Sequence, residues 1–106
     1  QLGRRAGDCD DYAVEKRHRL LRAGMPASAL SLTEAVVGGV GHLVLTVRTS
    51  RGDFVLDNLR DAVLPFERVG YRFVKAQSAG NPDYWVAVDN NAGPMILAQA
   101  DARPRR

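Results

Sequence analysis

The chain has a single cysteine, Cys9, in 106 residues, which excludes an internal disulfide and any zinc or iron–sulfur centre built on several thiolates. A lone thiol is compatible with either cytosol or periplasm, so it fixes no redox compartment. No apolar run approaches the roughly 18 residues of a membrane span, and the opening QLGRRAGD lacks the hydrophobic centre of a signal peptide. Lysine is scarce, with Lys16 and Lys75 alone, so the net charge of +3 comes almost wholly from arginine. The arginines cluster at Arg4-Arg5, at Arg17, Arg19 and Arg22, and in the terminal RPRR. Acidic residues are interspersed among them and no aromatic ladder accompanies them, so no nucleic-acid partner is expected.

What is present suits one small domain, because an apolar content of 45% can fill one modest core at this length. The segment from Asp8 to Ala23 reads as a helix. It opens with carboxylates that suit the positive end of a helix dipole and stops at Gly24 and Pro26. Along it Cys9, Tyr12, Ala13, Lys16, Leu20 and Ala23 recur at three- and four-residue steps and mark the core face, while Glu15, His18, Arg19 and Arg22 fall toward solvent.

From Leu30 the pattern changes to β-prone runs, LSLTEAVV, GHLVLTVRT, DFVLDNL, YRFVKAQ and YWVAVDN. Gly38-Gly39, SRGD, DAVLPFERVG and AGNP separate them as turns. In HLVLTVRT, Leu43, Leu45 and Val47 take one face and His42, Val44 and Thr46 the other, so this strand is apolar on most of both faces and is expected to be interior. The economical architecture is α+β, a helix packed on one face of an antiparallel meander. The domain is expected over residues 1–98, with 99–106 a disordered basic tail.

Three residues carry possible chemistry: Cys9 at a helix start, His42 after a glycine pair, and Asp57 at the end of the next strand. The hairpin through TSRGD brings the ends holding His42 and Asp57 onto neighbouring strands, where a carboxylate can orient an imidazole. A free thiol, with a pKa of about 8.5, becomes a nucleophile when a helix N-terminus and an imidazolium lower it. Attack on a carbonyl then gives a thioester, with the Cys9 backbone N–H a candidate oxyanion donor. By residue type and spacing alone a plainer description stands beside this one. Cys9 is then a small buried hydrophobe, His42 a satisfied strand-end histidine, Asp57 a turn former, and Asp8, Asp10 and Asp11 helix-start residues.

Two local motifs go further. GDCDDYAVEKRHRLLRAGMP resembles the nucleophile helix of the transglutaminase-like superfamily, and GHLVLTVRTSRGDFVLDN resembles the His and Asp strands that follow in it. Within that superfamily the chain is similar to the bacterial transglutaminase-like cysteine proteinases of the LapG type, in which GDCEDYA and HMVL...LVLDN recur. The resemblance implies a transglutaminase-like or papain-like core, with nucleophile Cys9, general base His42 and orienting Asp57. It implies a periplasmic protease that clips a surface adhesin near a dialanine site in biofilm control, and an inner-membrane receptor for cyclic di-GMP as partner. It also implies calcium, held in part by Asp8 and Asp10, although two carboxylates fall short of the six to eight oxygens this ion takes.

The chain departs from the family in having Asp-Cys-Asp for Asp-Cys-Glu, and only a few residues precede Cys9 where the family carries an N-terminal helical segment. The alternatives are a catalytically degenerate binding module on the same fold, or an amide hydrolase or acyl transferase using the same triad.

Overall fold

The computed structural model describes the backbone of residues 6–90 and the side chains of residues 10–90. The expected domain end at residue 98 and the expected tail, 99–106, lie outside the described residues.

Helix α1 spans Ala6–Arg22, opening two residues before the expected Asp8, so Cys9 falls in its first turns. Arg19 and Arg22 sit in its last turn, where positive charge suits the dipole, and the exposed Glu15 accepts from Arg19 Nε at 2.9 Å one turn away. The helix ends in a Schellman motif. The Gly24 N–H donates to the Leu21 carbonyl and the Met25 N–H to the Leu20 carbonyl, each at 3.0 Å, with Gly24 at φ 104°. Only a residue without Cβ takes that conformation cheaply, and the motif also brings Met25 onto the same apolar cluster as Leu20. Ala23, expected on the core face, lies past the last helical residue and is exposed.

After a 3-10 turn at Ala27–Ala29 the chain forms strands β1 (Leu30–Val37), β2 (Val40–Thr49), β3 (Gly52–Leu56), β4 (Leu64–Pro65), β5 (Arg72–Gln77) and β6 (Trp85–Ala87). All neighbours pair antiparallel in one sheet of order β4-β3-β2-β1-β5-β6. The sheet is therefore not the simple meander expected. The first four strands run outward in order from β1, and β5 then returns to pair with its other edge. The stretch expected to be only a break, DAVLPFERVG, supplies β4 and a second 3-10 turn, Phe66–Arg68.

Turn chemistry fixes the register. Gly38 and Gly39, at φ 59° and 80°, close a two-residue hairpin that pairs Val37 with Val40 and sets Ala35 opposite His42. The β2–β3 turn is held by Thr49, whose hydroxyl donates to the Gly52 carbonyl at 2.8 Å and accepts from the Arg51 N–H at 3.0 Å. It pairs Leu45 with Leu56, so Asp57 comes one residue later.

Both faces of the sheet are covered. On one, Leu30, Leu45 and Val47 pack with Leu20 and Leu21 of α1, Met25, Leu32 and Leu56. On the other, Ala35, Val44, Val55 and Phe73 pack with Phe66 of the second 3-10 turn and Val69 just after it, the rings of Phe66 and Phe73 stacked at 4.3 Å. Strand β2 is interior and buried on both sides, as its composition indicates.

Candidate active site

His42 enters β2 on the face that carries Val44 and the Phe66–Phe73 core. Asp57 follows β3 on the same side, and both residues are buried, His42 7% and Asp57 2% exposed. Their side chains meet as the hairpin requires, with His42 Nε2 2.7 Å from Asp57 Oδ1. The carboxylate is fixed from its own turn as well. Its Oδ1 accepts from the Leu59 backbone N–H at 2.9 Å, an Asx turn, while the Arg60 N–H reaches the Asp57 carbonyl at 3.4 Å.

A third side chain completes the group. The Tyr71 hydroxyl donates to Asp57 Oδ2, and the edge of its ring stands against His42, with centroids 5.7 Å apart and planes at 82°. Arg60 lies over the other aspect of Tyr71, its guanidinium 5.4 Å from the ring centroid, and its Nη2 donates to the Val69 carbonyl at 3.2 Å. Neither Tyr71 nor Arg60 stands out in the sequence. Ala35 pairs with His42 on one side and with Phe73 on the other, so the order of strands brings Tyr71, two residues before Phe73, onto the histidine. No local pattern announces that order.

Electrostatics agree with the geometry. Burial pushes the Asp57 carboxyl up, but donors from His42, Tyr71 and the Leu59 N–H outweigh it and hold the group below its usual range. The ionised carboxylate only accepts, so Nε2 carries the hydrogen of that bond and Nδ1 is the ring nitrogen that Asp57 leaves for other chemistry. Burial, and then the neighbouring Asp57, push the Tyr71 hydroxyl up, with Arg60 opposing, so Tyr71 stays a proton donor in the neutral range.

Of the expected residues, His42 and Asp57 are thus brought together. The backbone of Cys9 lies in α1, but its side chain, like that of Asp8, lies outside the described residues. Asp10 and His18 are exposed. Among the described residues no group of three or more His, Cys, Asp or Glu side chains gathers to hold a metal. Asn58 is buried next to Asp57, and neither atom of its amide finds a partner among the described residues.

The model of a family described as bacterial transglutaminase-like cysteine proteinase BTLCP matches residues 1–93. No curated protein and no solved structure matches the chain.

Proposed function

This chain belongs to the bacterial transglutaminase-like cysteine proteinases, and from that membership we propose an endopeptidase that cleaves a protein substrate through a thioester on Cys9, with His42 as general base and acid and Asp57 as its orienting partner. The observation that carries it is the buried His42–Asp57 pair, engaged through Nε2 so that Nδ1 remains for a nucleophile. A papain-like or transglutaminase-like core is the architecture in which these elements serve that chemistry.

The position of α1 supports Cys9 as the third member. The C-terminal part of α1 packs at Leu30 and Val47, and the helix runs along β2. From Leu21 back to Cys9 a helix rises about 18 Å, and from Val47 back to His42 a strand rises about 17 Å, so the first turns of α1 come level with the histidine. They lie toward opposite faces of the strand, because Leu45 and Val47 face α1 while His42 faces away. Gly41, just before His42, adds no side chain, and among the described residues a Cβ placed on it would meet nothing within 4 Å.

In the proposed reaction the resting pair is a thiolate and an imidazolium, favoured by the helix N-terminus and by Asp57. The sulfur attacks the peptide carbonyl carbon, and the oxyanion is stabilised by backbone N–H groups near Cys9. His42 gives its Nδ1 proton to the departing amine as the C–N bond breaks, leaving the acyl group on sulfur. Water then loses a proton to the same nitrogen and attacks the thioester, releasing the carboxylate and restoring the pair.

By family resemblance we propose a periplasmic enzyme, a surface adhesin cut near a dialanine site in biofilm control, and regulation by an inner-membrane cyclic di-GMP receptor. Calcium held in part by Asp8 and Asp10 belongs to the same proposal. Calorimetric titration of chelator-treated protein with calcium tests it, and no binding heat would remove it. The function itself is tested by incubating the protein with a dialanine-containing adhesin segment and following fragments by mass spectrometry. A single cut that Cys9→Ala abolishes is expected, and cleavage unchanged in Cys9→Ala would overturn the proposal. Transfer of the acyl group to an added amine in place of water would assign an acyl transferase.

A further inference from the structure

We propose that Tyr71, backed by Arg60, is a positioning residue of the active site, holding Asp57 in the orientation in which it engages His42. The inference rests on the protease assignment above and adds a part to it. Three features support this role rather than a merely packed tyrosine.

First, Tyr71 holds both members of the pair at once, its hydroxyl on Asp57 Oδ2 and its ring edge against the imidazole. The Asp57 carboxylate therefore has both oxygens committed, Oδ1 to His42 and the Leu59 N–H, Oδ2 to Tyr71. A carboxylate gripped on both oxygens cannot rotate away from Nε2.

Second, Arg60 is itself anchored to the Val69 carbonyl and lies over the Tyr71 ring, which fixes the ring and makes its O–H a better donor. Asp57 and Arg60 come from the loop after β3 and Tyr71 from the residue before β5, so two distant stretches of chain build the group.

Third, the arrangement has a consequence for chemistry. The imidazolium that forms when His42 takes the thiol proton is stabilised by Asp57 only while that carboxylate is charged. Donors to the carboxylate keep it charged to lower pH. The titratable and charged groups that face Asp57 among the described residues are His42, Tyr71 and Arg60.

The test uses Tyr71→Phe, which keeps the ring and removes the donor, with two readouts. One is the pH profile of Cys9 alkylation by iodoacetamide, and the other is the carboxyl carbon shift of Asp57 titrated by NMR. The variant should raise the Asp57 titration and, on the acid side of the profile, slow alkylation by up to roughly tenfold. Arg60→Gln, which leaves Tyr71 in place and guards against a variant that does not fold, should shift both in the same direction by less. Profiles that superimpose on the parent protein in the folded variants would overturn the proposal. The carboxyl signal separates this failure from failure of the protease assignment. An unactivated Cys9 in the parent protein sinks the assignment whatever the variant does, and an Asp57 titration unmoved by Tyr71→Phe sinks the positioning role whatever the thiol does.

Discussion

The two faces of β2 are held by different physics. On the face turned to α1, Leu45 and Val47 are buried among Leu20, Leu21, Leu30 and Met25, where any side chains of similar volume would serve nearly as well. On the other face, two residues from the fully buried Val44, His42 meets Asp57 and Tyr71 through contacts that admit few substitutes. The apolar face stabilises the fold and is indifferent to chemistry. The polar end of the opposite face is buried at a cost, which the hydrogen bonds that Asp57 accepts from His42, Tyr71 and the Leu59 N–H offset. A residue's place in the sheet thus says less about its role than the kind of bond it makes there.

The contrast can be broken from either side. The largest effect is expected from Asp57→Asn, which keeps size while presenting an amide to Nε2. Cleavage should fall on the order of a thousandfold or more, measured as initial rate of fragment release, with the far-ultraviolet spectrum unchanged. Leu45→Ala should do the reverse. It is expected to cost roughly 2–5 kcal/mol of stability in urea unfolding, while activity per folded molecule changes by no more than a few-fold.

A smaller and more selective effect is expected from acid. The Asp57 carboxyl is held below its ordinary range when folded, so its contribution to stability is complete above its unfolded value of about 3.9. That contribution is lost as pH falls through the folded value. Urea midpoints of the parent protein should therefore drop below about pH 4, and the part of this drop due to Asp57 should vanish in Asp57→Asn. The smallest effect is expected at the hairpin that sets the register of His42. Gly38→Ala places a Cβ at φ 59° and should cost about 1 kcal/mol, read from the same unfolding curves, without moving the His42–Asp57 pair.

Much of this was legible from local chemistry. The extent of α1, its glycine stop, the two tight hairpins and the two-faced burial of β2 follow from side-chain period and turn residues, each of which acts within a few positions. The His42–Asp57 contact belongs to the same class, because one short turn fixes which ends of β2 and β3 lie side by side. What escaped depends on contacts distant in sequence. Pairing of β5 with β1, rather than with its predecessor, depends on which apolar edges find each other, and nothing in YRFVKAQ specifies β1 as its neighbour. Tyr71 was hidden for that reason, although it touches both site residues. Strand β4 was hidden because only Leu64 and Pro65 form it, too short a stretch to show a period.

The central claim is that α1 and the His42–Asp57 pair act together to make Cys9 a nucleophile. The most direct measurement is the rate of Cys9 alkylation by iodoacetamide across a pH series, in the parent protein and in His42→Ala. An activated site requires a thiolate titrating well below the ordinary value of about 8.5 in the parent protein and returning toward it once the imidazole is removed. A thiol that titrates at 8.5 or above in both proteins would contradict the account.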